Sequence, residues 1–121
     1  MNENKNKKQF DLEERTMLFA KDVRLFVRKI SRTIANIEDG KQVIRSSGSV
    51  GANYIEANEA LSKKDFVMRI KICRKESKET RYWLLLLNLN NNEILEKERQ
   101  KLAREATELM MIFSSIMRKS C

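Results

Sequence analysis

Two pairs of glutamates stand at helical spacing, Glu56 with Glu59 and Glu76 with Glu79. Carboxylates clustered on helices can hold magnesium and support hydrolysis of a phosphoanhydride. Here Glu56 and Glu76 fall off the faces that periodicity assigns to a core, and arginines stand close by in sequence. Ion pairing or solvation is the expected role, and a magnesium-dependent hydrolase is a third reading. Ser46, Ser47 and Ser49 offer hydroxyls, but the chain has no histidine to activate one, and a lysine base would have to be desolvated beside it. The expected role is close helix packing. Cys73 and Cys121 lie far apart and form no Cys-x-x-Cys pair, so no zinc site is expected. Cys73 reads as a core residue, and Cys121 as an exposed terminal thiol. No phosphate-cradling glycine loop occurs. The sequence therefore predicts no catalytic residue, no metal and no cofactor, hence no enzyme.

Charge carries more information. Between Arg69 and Arg81 stand six basic residues and two acidic ones. On a helix Lys71, Arg74, Lys75 and Lys78 form one stripe, with Tyr82 inside it. Cations that track a phosphate backbone with a stacking aromatic between them are what nucleic-acid binding needs. A solvated face laced with i,i+4 pairs is the plain alternative; Lys75–Glu79 fits it and Lys71–Lys75 does not. The formal charge of +8 gives general polyanion affinity whatever the biology.

A second surface is apolar. Ile72, Trp83 and Leu86, with Met111 and Ile112, lie off the predicted inner faces, as do Leu18 and Leu25. Grouped apolar residues on an outer face mark a partner interface, so these five, Ile72, Trp83, Leu86, Met111 and Ile112, are the expected oligomer contacts.

These side chains need rigid elements to position them. The chain has 121 residues, three glycines and no proline, with 41% hydrophobic and 35% charged residues. That excludes collagenous and Pro/Gly-rich disordered classes and suits one helical domain. Residues 1–9 read as a disordered basic tail and residues 10–121 as the domain. Four segments show a 3.6-residue period. The first, Leu12 to Ser31, follows Asp11 as a cap and places Leu12, Phe19, Val23, Phe26, Val27 and Ile30 on one face. The second, Ile37 to Leu61, aligns Gly40, Ser47, Gly51 and Asn58 as a small-residue groove. Ile37, Ile44 and Ile55 form one flanking ridge; Val43, Val50, Tyr54 and Leu61 form the other. The third starts after Ser62, runs to about Leu89, and turns Phe66, Ile70, Cys73, Ser77, Thr80 and Leu84 inward. Asn90 to Asn92 break it. The fourth spans Glu93 to Lys119 with a near-heptad seam of Leu95, Leu102, Ala106, Leu109, Phe113 and Ile116. Short connections predict an all-α, antiparallel up-down-up-down four-helix bundle. The polar N-terminus and the shortness of every apolar run predict a cytoplasmic protein with no membrane partner.

Several stretches carry a family pattern: Phe10 to Thr16, Ile34 to Glu38, Gly40 to Gln42, Ile44 to Ala60, Ser62 to Phe66, Arg69 to Glu79 and Arg81 to Leu84. Over roughly residues 10–88 they closely resemble the four-helix-bundle family encoded in intervening sequences of 23S ribosomal RNA; the fourth segment matches in pattern alone. The resemblance implies a bacterial cytoplasmic bundle, a ring-like homopentamer, and kinship with the basic accessory variability protein of diversity-generating retroelements, which works with a reverse transcriptase and nucleic acid. It supplies no catalytic residues. Its pattern includes Arg45, Ser46, Ser47, Ser49, Asn53, Glu56, Asn58, Glu59, Arg74, Glu76, Glu79 and Arg81, which are expected to order helix contacts or a subunit interface. The leading expectation is a non-enzymatic homo-oligomer that binds RNA or DNA. The alternative is an interaction scaffold for a polymerase or a ribosome-linked protein.

Overall fold

The computed structural model describes residues 3–120 of the chain and the side chains of residues 12–120. The expected exposed thiol of Cys121, the first two residues of the expected tail and the side chains of the rest of that tail lie outside the described residues. Four helices make up the fold: α1 (Glu3–Val27), α2 (Ile34–Asn58), α3 (Lys63–Leu86) and α4 (Glu93–Ser120). No strand occurs among the described residues, and no helix there is long and apolar enough to cross a membrane.

Local chemistry sets the boundaries. The backbone of α1 is already helical at Glu3, so Asp11 sits inside the helix and not at its start. Residues 3–9 contain lysine, glutamate and glutamine, all good helix formers. At the start of α2, Thr33 Oγ1 accepts the Asn36 N–H at 3.1 Å, which begins the helix three residues before Ile37. α2 ends at Asn58, leaving Leu61 beyond it, 98% exposed. Ile55 is exposed as well, so neither residue forms the apolar ridge expected of it. Ser62 Oγ accepts the Asp65 N–H at 3.1 Å and caps α3 as predicted. The asparagine run performs the next turn: Asn90 and Asn91 take positive φ of 54° and 61°, a conformation asparagine tolerates. Asn92 Oδ1 then accepts the Leu95 N–H at 3.0 Å and caps α4.

α3 is central, packed extensively on both α2 and α4, whereas α1 meets α4 least. Along α2 and α3 the paired residue numbers run in opposite order. Asn53 bonds Arg69 at 3.0 Å, Val50 bonds Cys73 at 3.4 Å, and Ser46 bonds Thr80 at 2.8 Å. The inner face of α3 is buried at Ile70, Cys73, Ser77, Thr80 and Leu84, and Leu102, Ala106, Leu109 and Phe113 of α4 are buried with it. The small-residue groove of α2 receives α1. A Cβ at Gly51 would lie 2.9 Å from Thr16 Oγ1, and one at Gly40 would lie 3.2 Å from Val27 Cγ1.

Candidate nucleic-acid interface

The core contacts of α3 decide what its other faces can do. With Ile70, Cys73, Ser77, Thr80 and Leu84 turned inward, helical geometry sends Lys71, Lys75 and Lys78 to the far side. All three are exposed, and Arg74 is half-buried beside them. None of the four forms an ion pair among the described residues, where the ion pairs join α1 or the turn after it to α4, or close within α2 or α4. Lys75 and Glu79, one turn apart, remain separate, so the salt-laced face is not what forms. Tyr82 stands exposed at the end of this row, its ring edge-on to Trp83 at 5.1 Å between centroids. The structure thus brings the predicted cations together on one rigid, unneutralised helix face.

The expected apolar contacts separate into two kinds. Leu86 and Met111 are exposed, whereas Trp83 and Ile112 pack half-buried against the core and Ile72 is half-buried on α3. Sequence periodicity missed Ile34 and Ile94, which are 86% and 74% exposed at the first turns of α2 and α4. A helix boundary residue gives no periodic signal, so nothing in the pattern marks them.

Glu76 is the other residue that sequence reasoning misplaced. The residue is 8% exposed, so most of its side chain is buried off the inner face, while its carboxylate, without a hydrogen bond or ion pair, still reaches solvent as expected. It lies between Cys73 and Thr80, whose side chains both bond to α2. The serines of α2 let the two helices approach so closely that burial reaches past the inner face. Glu56 and Glu59 are exposed on α2. Among the described residues no three Cys, Asp or Glu side chains gather to hold a metal ion. Ser46 and Ser47 hydroxyls are donated to carbonyls one turn back. Burial pushes the Cys73 thiol up to about 12, which keeps it protonated at neutral pH.

A model of the 23S rRNA-intervening sequence proteins matches residues 8–115. The chain belongs to that family. A crystal structure of a protein of unknown function from the S23 ribosomal protein family of Bacteroides thetaiotaomicron VPI-5482 shares the fold, with a TM-score of 0.78 and 29% identity. The match covers 92% of this chain and 98% of that one. No curated protein matches. Membership agrees with the resemblance carried by the second and third segments. It also extends the match across most of α4, where the residues keep the pattern without the wording.

Proposed function

We propose that this member of the family is a non-enzymatic homo-oligomer of antiparallel up-down-up-down bundles that binds nucleic acid in the cytoplasm through α3. The observation that carries the reading is the row Lys71, Arg74, Lys75 and Lys78: four cations on one rigid face with no acidic partner. Unpaired cations keep their charge available to phosphate and release its counterions on binding. The family's name, which ties its members to 23S rRNA, makes RNA the first ligand to try. Oligomerisation would multiply one weak stripe into an avid surface, and five is the number of subunits that the resemblance implies. The test is titration of a labelled single-stranded RNA and a duplex DNA, followed by anisotropy, with sedimentation velocity on the same samples. Binding of either by an oligomer supports the reading; a monomer inert to both at low salt removes it.

The exposed Leu86 and Met111 favour, as a second reading, a scaffold for a polymerase or ribosome-linked protein. Capture of that protein after nuclease treatment, with no nucleic acid bound by the purified chain, would decide for it.

A further inference from the structure

The exposed side of α3 changes character along its length. Lys71, Lys75, Lys78, Tyr82 and Leu85 follow one another at spacings of four, three, four and three residues, so they stand in one nearly straight row. All five are exposed. Three cations therefore lead into an aromatic ring and a leucine, 58% and 42% exposed. At about 1.5 Å per residue, Lys71 and Tyr82 stand about 16 Å apart along the helix axis. That is the length of about five nucleotides of a strand at about 3.4 Å each. A strand whose phosphates follow the lysines thus brings a base to the ring.

Nothing inside the chain requires Tyr82 where it stands. Its hydroxyl has no hydrogen bond among the described residues. Its one ring contact there is Trp83, edge-on at 5.1 Å between centroids with the planes at 77°. Tyr54, by contrast, is 6% exposed and packs on Phe113. Trp83 is half-buried against the core and so steadies the Tyr82 ring, yet it can cover at most one of that ring's two faces. A free aromatic face beside a row of cations is what an unpaired base stacks on. The bases of a duplex are already stacked on their neighbours, so a duplex offers this row its phosphates alone. We infer that Tyr82 is a base-stacking residue, which makes the ligand of α3 a single strand with unpaired bases in preference to a duplex.

This inference rests on the phosphate-binding half of the proposed function, and removal of the ring separates the two. Three probes are titrated at one salt concentration: a labelled RNA strand of about ten nucleotides, the same strand paired with its complement, and a strand of equal length lacking bases. Wild type binds the intact strand about tenfold more tightly than the base-free one. Tyr82 is exposed and alanine favours a helix, so Y82A keeps its helix content by circular dichroism. It loses about tenfold on the intact strand and nothing on the duplex or the base-free strand. Y82L, which keeps apolar bulk without the ring, behaves as Y82A does, and Y82F behaves as wild type. The salt slope stays that of the wild type, because stacking releases no counterions. If Y82A and Y82L bind the intact strand as wild type does, or weaken alike on all three probes, the inference is overturned and the phosphate reading stands. A wild type inert to every probe at low salt overturns both.

Discussion

Asn36 and Asn88 hold each other through two hydrogen bonds: Asn36 Nδ2 donates to the Asn88 carbonyl at 2.9 Å, and Asn36 Oδ1 accepts the Asn88 N–H at 2.9 Å. The same Nδ2 donates to the Ser31 carbonyl at 3.0 Å. One buried amide thereby ties the α1–α2 connection to the end of α3 and fixes the register of that end of the bundle. Replacing it with leucine leaves backbone groups at residues 31 and 88 unpaired, and N36L is expected to lose about 2–3 kcal/mol in urea unfolding. A loss below about 0.5 kcal/mol would mean that solvent satisfies those groups.

Gly51 and Gly48 lie on one helix and should respond in opposite directions. At Gly51 a methyl group would press on Thr16, which is buried, at 2.9 Å from its Oγ1 and 3.3 Å from its Cβ. Overpacking of about 1–3 kcal/mol outweighs the gain of about 1 kcal/mol in helix propensity, so G51A lowers the melting temperature. At Gly48 the nearest atom is the tip of the Arg24 side chain at 3.4 Å, which can move aside. G48A is expected to raise stability by up to about 1 kcal/mol. Thermal unfolding of the two variants side by side checks the contrast.

Cys73 is sealed against α2, its Sγ donating to the Val50 carbonyl at 3.4 Å. Its folded pKa, pushed up to about 12 by burial, stands above the ordinary value of 9.0. The folded state therefore holds the proton more tightly than the unfolded one. Stability from this group is intact below pH 9 and falls as pH rises towards 12. In a Cys121→Ser background the native thiol should resist a disulfide reagent at pH 8 and react fully in denaturant. Prompt native reaction would show that α2 and α3 open.

Arg99 joins two ends of the fold. It holds the Glu96 carboxylate at 2.6 Å and 3.0 Å and donates to the carbonyls of Leu84 and Leu87 at the end of α3. Its hydrogen bonds, with one from Gln100, bring the Glu96 carboxyl down to about 2 from 4.5. A depressed carboxyl contributes stability above its unfolded value and loses it as pH falls from 4.5 through 2. Acid unfolding of E96Q should lack that portion of the transition. R99M should in addition free the end of α3, lowering stability at pH 7 as well.

The inner seam of α3, the Ser62 cap and the asparagine turn were legible because each has a local signal: period, hydroxyl and left-handed tolerance. The glycine groove of α2 was legible as a pattern, and Thr16 and Val27 are what fill it. Boundaries were less so. Periodicity starts the second segment at Ile37, and the Asn36 N–H donated to Thr33 Oγ1 starts the helix at Ile34 instead. Glu76 was invisible for a different reason: its burial comes from how near α2 approaches, which a wheel drawn for one helix does not contain. Trp83 and Ile112, expected on an outer face, lean back onto the core because large side chains reach sideways across a helix.

The central claim is that the α3 stripe neutralises phosphate. Affinity for one labelled RNA, measured across a series of salt concentrations, tests it most directly. For the wild type, log affinity should fall linearly with log salt, each contacted phosphate adding about 0.7 to the slope on a single strand. Reversing Lys71, Arg74, Lys75 and Lys78 to glutamate should flatten that slope by the share these cations carry while leaving helix content unchanged. A quadruple variant with the wild-type slope would contradict the account.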